Sequence, residues 1–250
     1  MLYADSTRTA QTAIQDWCRT LADIGLLLVG HLGLKRFCKS WRRVVHIKAL
    51  IFDCDGTLTD SMESHFRAWH RSLAPRGVDL KAEDFYAQSG TPSSKVIPAI
   101  ARRDGVEIDF FDALRDKERF FLDEIEHLKT VPSVVAIAAR YRGRLPMAVA
   151  SGGTRTLVER QLEQVKITDW FQTVVTCEDT EKHKPDPDVF LLAAERLGIE
   201  PSDCCVFEDG EPGILAAHAA NMLCIDVRPY REQIDTEAAT RAMLDLFELA

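Results

Sequence analysis

The sequence predicts an α/β fold, a Rossmann-like parallel sheet core with an inserted small α-helical cap domain. Two observations support this prediction. Short apolar segments of strand length alternate with amphipathic helical segments over most of the chain, which is typical of a parallel sheet covered by helices on both faces. This alternation is interrupted after the first strand by residues 64–132, where only helices are predicted. That helical block is the predicted cap.

The predicted elements follow one another from residue 44 to residue 249. Apolar runs bounded by turn residues predict strands, and these lie at residues 44–52, 146–150, 173–176, 203–207 and 222–227. Helical periodicity predicts helices, at residues 61–73, 82–90, 93–103, 110–127, 132–141, 154–165, 187–197, 212–220 and 231–249. The predicted domains are an N-terminal extension (1–45), a core formed by 46–63 with 133–250, and the cap (64–132).

The N-terminal extension stands apart from this alternation. The polar residues Asp5, Ser6 and Thr7 are typical of a helix start, and helical periodicity continues to about Leu28. A basic cluster follows, consisting of Lys35, Arg36, Lys39, Arg42, Arg43 and Lys48. A targeting peptide, a membrane-surface helix and an accessory helix packed on the core are three hypotheses for this segment, and its role stays open.

The composition restricts the classes of function. The 250 residues are 46% hydrophobic and 28% charged, as in ordinary soluble globular proteins. A net charge of −8 argues against nucleic-acid binding as the main function. The seven cysteines form no Cys-x-x-Cys pair, which favours a reducing compartment, and we expect a cytoplasmic location. The apolar run at residues 24–34 is too short to span a bilayer, so no stable membrane insertion is expected.

The most informative segment follows the first predicted strand and reads Asp-Cys-Asp-Gly-Thr at residues 53–57. Asp53 and Asp55 point the same way because side chains alternate along a strand, and Gly56 permits a sharp turn. Paired carboxylates at the carboxyl edge of a parallel sheet attract a hard cation such as Mg²⁺. We interpret Asp53 as the nucleophile that attacks phosphorus and Asp55 as the general acid and base. The alternative is an ordinary turn after a strand.

Two further segments offer groups that bind anions. Ser151 and Gly152 follow the strand at 146–150 and precede a helix, where a hydroxyl and exposed N–H groups form an anion site. An ordinary helix-capping serine is the alternative interpretation of Ser151. Lys184 lies in a proline-rich loop before the next helix, and its charge can offset the repulsion between Asp53 and an anionic substrate.

The fourth segment is Glu208-Asp209, which ends the strand at 203–207 and precedes Gly210. Together with Asp53 and the main-chain carbonyl of Asp55, these carboxylates complete an oxygen-rich metal site, and the predicted cofactor is Mg²⁺. Carboxylates, a hydroxyl and a lysine thus occur at four separate strand ends or loops, in an order that allows them to converge on one rim.

The order Asp-x-Asp-Gly-Thr, Ser, Lys-Pro, Glu-Asp resembles the four-motif signature of the haloacid dehalogenase-like (HAD) hydrolase superfamily over residues 46–230. The resemblance implies an aspartyl-phosphate intermediate, Mg²⁺ and a small helical cap. It also implies that the phosphoryl group is bound by Thr57, Ser151, Gly152 and Lys184, and the metal by Asp53, Asp55, Glu208 and Asp209. The aspartate at position 55 argues against a true dehalogenase, which lacks it.

Within the superfamily, the residues Ser-His-Phe-Arg-Ala-Trp at 64–69 resemble the cap entry of the β-phosphoglucomutase and fructose-1-phosphate phosphatase branch. The predicted partner is therefore a small phosphorylated metabolite, of fructose-1-phosphate or 6-phosphogluconate type. Candidate substrate-contacting residues in the cap are His65, Trp69, Ser89 and Gly90. An unremarkable position on the helix surface is the alternative for His65. No oligomeric state can be inferred, although a monomer is favoured.

The mutases of this branch carry a lysine before the cap glycine and an arginine soon after it, which hold a second phosphate. Residues 88–94 contain no basic residue here, and the first one is Lys95. Net hydrolysis is therefore the favoured prediction. A phosphosugar mutase remains the second hypothesis, and a non-catalytic module that binds a phosphoanion is the third.

Overall fold

The five strands form one parallel sheet in the order β3-β2-β1-β4-β5. The computed structural model describes residues 47–87, 93–231, 233 and 235–248. The predicted N-terminal helix, most of the basic cluster, and Ser89 and Gly90 lie outside these residues. The strands are β1 (Ala49–Phe52), β2 (Met147–Ala150), β3 (Thr173–Val175), β4 (Cys204–Glu208) and β5 (Leu223–Asp226). The predicted α/β class with a parallel sheet is confirmed.

The helices in chain order are α1 (Met62–Leu73), α2 (Ala82–Ala87), α3 (Ser93–Arg103), α4 (Phe110–Asp123), α5 (Pro132–Tyr141), α6 (Arg155–Gln164), α7 (Asp188–Leu197), α8 (Glu211–Ala219), α9 (Arg228–Arg231) and α10 (Thr236–Glu248). Short 3-10 turns occur at Ala74–Arg76, Ile125–His127, Thr168–Trp170 and Pro201–Asp203. No helix within the described part of the chain is both long and apolar enough to cross a membrane.

The sheet is buried on both faces because successive residues of each strand point to opposite sides. On one face, Leu50 and Phe52 pack with residues of α5, α6 and α10, including Ile137. On the other face, Ile51 packs with residues of α7 and α8, including Phe190. Apolar residues cover both faces of the sheet, as expected for a central parallel strand and not for a strand with one solvent-exposed face.

Helices α1, α3 and α4 form a separate apolar cluster that includes Trp69, Leu73, Ile97 and Ala113. A smaller cluster joins this helical block to the sheet domain, because Ala68 and Phe121 pack with Leu157 of α6. The structure therefore contains the predicted all-helical block between β1 and β2. The predicted domain limits at 63/64 and 132/133 stay predictions.

Several predicted elements differ from the structure at their ends, most of them by one or two residues. The helix predicted at 231–249 is wrong at its start, because α9 ends at Arg231 and α10 begins at Thr236. Asp235 caps α10 by accepting a hydrogen bond from Ala238 N at 2.9 Å, which marks a new helix start. The helix predicted at 110–127 ends as an α-helix at Asp123 and continues as a 3-10 turn. Strand β4 extends to Glu208, which pairs with Asp226 of β5.

Candidate active site

The polar residues predicted at the strand ends lie along the carboxyl edge of the sheet. Asp53 follows β1, Ser151 follows β2, and Glu208 is the last residue of β4. Phe52 lies opposite both Val149 and Phe207, so Asp53 is level with Glu208, and Ser151 lies one residue further along its strand. Lys184 reaches this edge from the loop between β3 and α7.

Lys184 joins two carboxylates in a buried cluster. Its Nζ donates to Asp53 Oδ1 at 2.7 Å and to Glu208 Oε2 at 2.7 Å. A third hydrogen bond goes to the main-chain oxygen of Ala150 at 3.2 Å. The three side chains are 4–10% exposed, so each charge is removed from bulk water. Buried charges require such pairing, because an unpaired one costs several kcal/mol.

The electrostatics of this cluster follow from burial and from the excess of carboxylates. Burial and the negative charge of Glu208 raise the pKa of Asp53 well above its ordinary value, and Lys184 opposes this rise. Burial by itself would lower the pKa of Lys184, but the charges of Asp53 and Glu208 outweigh burial and raise it. Lys184 is therefore a permanent cation beside the carboxylate that is predicted to attack phosphorus.

Glu208 is oriented by the chain that follows it. Its Oε1 accepts hydrogen bonds from the main-chain N–H groups of Asp209 at 3.0 Å and Gly210 at 2.8 Å. Gly213 leaves room for this arrangement, because a Cβ on that residue would lie 2.1 Å from Glu208 Oε2. A glycine at this position of α8 is thus required by the carboxylate and not by the backbone conformation.

Asp209 lies against the turn that follows β1. Gly56 has a φ of +83°, and a Cβ there would lie 2.2 Å from Asp209 Oδ2, so this turn accepts only glycine. Thr57 donates from its hydroxyl to Asp209 Oδ1 at 3.1 Å, and Arg231 Nη1 donates to Asp209 Oδ2 at 2.9 Å. The hydroxyl of Thr57 orients a carboxylate in this structure, and its predicted contact with phosphate stays a prediction.

Carboxylate oxygens of Asp53, Glu208 and Asp209 all lie within 4.8 Å of one another. An all-oxygen donor set of this size fits a hard divalent cation such as Mg²⁺, which also retains some waters. The carboxylate of Asp55 does not belong to this group, which leaves its main-chain carbonyl as the predicted ligand. The residues that are present therefore fit the metal that the sequence predicts.

Asp55 occupies a different environment only two residues away. Its Oδ1 accepts hydrogen bonds from Ser61 Oγ at 2.6 Å, from His65 Nε2 at 2.6 Å and from Gln161 Nε2 at 2.9 Å. Burial raises the pKa of Asp55, but the interactions with His65, Ser61 and Gln161 outweigh burial, so the net pKa lies well below its ordinary value.

His65 connects this environment to the cap. Its ring stacks on Phe121 with the centroids 4.1 Å apart. Burial, together with the nearby ammonium group of Lys117, lowers the pKa of His65. A neutral imidazole then donates its Nε2–H to Asp55, since an ionised carboxylate can only accept. Of the two predicted cap residues that the structure describes, His65 and Trp69, it is His65 that lies against a catalytic candidate. Trp69 lies in the apolar cluster of the cap and is 3% exposed.

Lys117 of α4 is a residue that our sequence interpretation missed. It is 7% exposed, and its Nζ lies 5.8 Å from the ring centroid of Trp69 and 5.4 Å from that of Phe121. Burial lowers the pKa of Lys117 to about 8, although Asp55 and Glu118 attract its charge. No sequence signal separates this lysine from solvated helix lysines, because only the packing of α4 on α1 buries it.

Gln161 was also missed, although a signal for it exists. It is fully buried on the apolar face of α6 that also carries Leu157, Val158 and Leu162. Its amide joins the two sides of the loop after β1, since Nε2 donates to Asp55 and Oε1 accepts from Thr59 Oγ1 at 2.7 Å. A glutamine on an apolar helix face must find partners, and this pattern marks it as a candidate for a polar site.

The polar groups of the segment after β2 are hydrogen-bonded to other residues of the protein. Ser151 is buried and its Oγ accepts a hydrogen bond from Gly153 N at 3.0 Å. Gly152 is exposed, with no heavy atom within 4 Å of the position of a Cβ. At the start of α6, Arg155 N donates to Glu178 Oε2 at 2.8 Å, and Thr154 Oγ1 donates to Glu118 Oε1 at 2.9 Å. The predicted phosphate contacts of Ser151 and Gly152 stay predictions.

A family model described as a haloacid dehalogenase-like hydrolase matches residues 47–221, which is more than half of the chain. The chain belongs to this family. Fructose-1-phosphate phosphatase YqaB from Escherichia coli (strain K12) is 36% identical over 183 residues, covering 72% of this chain and 95% of that protein. The beta-phosphoglucomutase of Bacillus subtilis (strain 168) is 27% identical, covering 80% of this chain and 92% of that protein.

Solved structures of the family have the same fold. The crystal structure of CbbY from Rhodobacter sphaeroides in complex with phosphate superposes with a TM-score of 0.66 at 26% identity, covering 72% of this chain and 85% of that one. The predicted superfamily is confirmed, and so is the prediction of an enzyme, a phosphatase of the haloacid dehalogenase-like family. The comparisons support the coarse function of a sugar-phosphate phosphatase or mutase.

Proposed function

We propose that this haloacid dehalogenase-like enzyme hydrolyses the phosphate monoester of a small sugar or polyol, of fructose-1-phosphate or 6-phosphogluconate type, in a Mg²⁺-dependent reaction. One observation carries the proposal. Asp53 is paired with Lys184 at 2.7 Å, whereas Asp55 is surrounded by neutral hydrogen-bond donors and by His65 of the cap. Hydrolysis through a covalent intermediate needs two such carboxylates, one that attacks and one that transfers protons.

In the first step, an oxygen of Asp53 attacks phosphorus and the bond from phosphorus to the leaving oxygen breaks. Asp55 is ionised while Ser61, His65 and Gln161 donate to it, so it must first take up a proton, in an open state in which the hydrogen bond from His65 is lost. It then transfers this proton to that oxygen, which leaves as an alcohol. The ammonium group of Lys184 lies beside Asp53 and stabilises the negative charge of the phosphoryl oxygens. Bound by Asp53, Glu208 and Asp209, a Mg²⁺ ion would add positive charge at the same phosphoryl group.

In the second step, water attacks the phosphorus of the aspartyl-phosphate, and Asp55 accepts its proton. The bond between Asp53 and phosphorus breaks, and the carboxylate is restored. The donors around Asp55 favour its ionised form, which is the form that this step requires. His65 of the cap is one of these donors, so cap opening would remove a hydrogen bond from Asp55 and admit water or substrate.

Hydrolysis is preferred to mutase chemistry because of the start of α6. A mutase must hold a second phosphate, and a helix N-terminus is a suitable place for an anion. Here Glu178 accepts from Arg155 N and Glu118 accepts from the hydroxyl of Thr154, so carboxylates already occupy these donors. Two carboxylates at this point would also repel a second phosphate. The relative named fructose-1-phosphate phosphatase supports the same choice.

Two further properties belong to the proposal. The partner is a small phosphorylated metabolite, and no nucleic acid is involved. The location is cytoplasmic, which agrees with the free cysteines among the described residues, Cys54, Cys177, Cys204, Cys205 and Cys224.

The test is a panel of sugar and polyol monophosphates assayed for released phosphate with Mg²⁺, and again with excess EDTA. We expect release for at least one hexose or pentose monophosphate, and loss of release in EDTA. Undiminished release in EDTA would refute the metal dependence. NMR of the same reactions identifies the alternatives. An isomeric sugar phosphate that forms only with a bisphosphate primer would establish a mutase, and binding without turnover would establish a regulatory module.

A further inference from the structure

Arg231 contacts the proposed metal site from its solvent side. Its Nη1 donates to Asp209 Oδ2 at 2.9 Å, and its Nη2 lies 3.4 Å from Asp60 Oδ1. Asp60 precedes α1, so the guanidinium bridges a predicted metal ligand and the segment that leads into the cap. The side chain is 22% exposed, which places its charge in partly desolvated surroundings.

Asp209 is also the metal-site carboxylate that borders a cavity open to solvent. A cavity of about 460 Å³ lies between α1, α2, the start of α8, and α9, and it is lined by Met62, Tyr86, Asp209, Glu211, Arg228 and Arg231. Asp53 and Glu208 do not line this cavity. A cation that enters through it meets Asp209 first, and Arg231 holds that carboxylate.

The charges of the cluster show what Arg231 does there. When they are ionised, as metal ligands must be, Asp53, Glu208 and Asp209 supply three negative charges, and Lys184 offsets one of these charges by two direct contacts. Arg231 neutralises a second one at Asp209. A divalent cation therefore binds carboxylates whose charge is already largely offset. Removing the positive charge next to Asp209 strengthens the attraction of the site for a cation.

We propose that Arg231 weakens and tunes metal binding by opposing the charge of the incoming cation next to Asp209. The inference rests on the proposed metal dependence. Thr57 holds the other oxygen of Asp209, so loss of the Arg231 charge leaves the carboxylate oriented. By repelling the cation, the charge of Arg231 lowers the affinity and keeps the metal exchangeable in the wild-type protein.

The experiment measures Mn²⁺ binding to the full-length protein by electron paramagnetic resonance of the free ion. Arg231→Gln retains a hydrogen-bond donor without the charge, and we expect its Kd to fall by about tenfold because the repulsion of the cation is lost. Arg231→Lys retains the charge and is expected to bind like the wild type. Arg228→Gln is the matched control, because Arg228 lines the same cavity but pairs with Asp226 and Glu211. Its Kd should stay within about twofold, as screening weakens remote charges.

Repeating the titrations at low and high salt distinguishes an electrostatic effect of Arg231 from a structural one. The difference between Arg231→Gln and the wild type should shrink at high salt, because it arises from a partly exposed charge. An unchanged or weaker affinity in Arg231→Gln would overturn the inference while leaving the metal site intact. A wild-type protein that binds no Mn²⁺ would overturn the metal site itself. Circular dichroism confirms that each variant is folded.

Discussion

Asp53 and Asp55 are two residues apart on the same strand end, yet the structure places them in opposite environments. Asp53 is surrounded by charges, with Lys184 on one oxygen and Glu208 close by. Asp55 is surrounded by hydrogen-bond donors from Ser61, His65 and Gln161. Two residues of the same type therefore differ in pKa because of their surroundings. Burial and nearby carboxylates raise the pKa of Asp53, whereas hydrogen-bond donors lower that of Asp55, and the proposed roles of the two carboxylates rest on this difference.

The two environments also differ in their origin. The groups around Asp53 belong to the sheet domain, because Lys184 comes from the loop before α7 and Glu208 from the end of β4. The groups around Asp55 include His65 of α1, and the ring of His65 in turn stacks on Phe121 of α4 in the cap. Movement of the cap would therefore change the surroundings of Asp55 and leave those of Asp53 intact. Substitutions on the two sides should therefore have different effects.

The first test replaces each carboxylate by its amide. Asp53→Asn should lower kcat/KM by more than about 10⁴-fold, since the attacking oxygen is lost. Asp55→Asn should lower it by about 10² to 10⁴-fold with a sugar phosphate, since proton transfer is lost. With p-nitrophenyl phosphate, whose leaving group needs no acid, Asp55→Asn should accumulate the aspartyl-phosphate, which mass spectrometry detects.

Asp169→Asn is the control, because this exposed residue pairs with Arg142 away from the site. It should retain wild-type activity. Retained turnover in a folded Asp53→Asn variant would contradict the nucleophile assignment. Absence of any phosphoenzyme in Asp55→Asn would contradict the division of roles.

The second test removes the cation beside Asp53. Lys184→Met leaves Asp53 and Glu208 buried with no direct cationic partner, and we expect the free energy of unfolding in EDTA to fall by about 3 kcal/mol. Mg²⁺ should restore part of this loss, because it supplies the missing positive charge. Urea unfolding with and without Mg²⁺ measures both effects. Lys48→Met, which removes an exposed ion pair with Asp203, should change stability little. Equal losses in the two variants would argue against a coupled charge cluster.

The third test concerns the lysine on the cap side of Asp55. The pKa of Lys117 falls from 10.5 to about 8 on folding, so the unfolded chain binds more protons between these pH values. The contribution of this group to stability is therefore unfavourable below pH 8 and rises toward pH 10.5. The free energy of unfolding of the wild type, relative to Lys117→Met, should increase by roughly 3 kcal/mol across this window. Parallel pH–stability curves would show that Lys117 is not desolvated.

The fourth test weakens the support of Asp55 without touching the carboxylate. Gln161→Leu removes the donor to Asp55 Oδ1 and should raise the pKa of Asp55. We expect kcat to fall by about tenfold and the acidic limb of the pH–rate profile to move to higher pH. Gln164→Leu is the control, because Gln164 lies on the same helix and donates to Glu126 O at the surface. A uniform loss of rate at every pH would indicate a purely structural role for Gln161.

Much of the fold was predictable because periodicity and turn residues report local preferences. The five strands, the helical block after β1 and the strand-end positions of Asp53, Ser151 and Glu208 all follow from such patterns. Element ends were less predictable, since they depend on single capping contacts. The start of α10, for instance, is marked by the capping contact of Asp235 with Ala238 N.

The supporting residues of the site were not predictable in the same way. Gln161 is 106 residues from Asp55, and Thr57 is 152 residues from Asp209, so neither contact leaves a local pattern. Lys117 and Arg231 have the same sequence character as many exposed basic residues. Their burial and partners arise from packing of whole helices, which one sequence does not specify position by position.

The sequence by itself determined the order of strands and helices, the family, and the convergence of carboxylates and a lysine on one sheet edge, because backbone preferences and strand alternation are local. The tertiary structure decided which groups surround each of these side chains. It joined Lys184 to Asp53 and Glu208, and placed His65 and Gln161 on Asp55 and Arg231 on Asp209. The physical reason is that pKa, charge balance and orientation depend on neighbours within a few ångströms, and those neighbours come from distant parts of the chain.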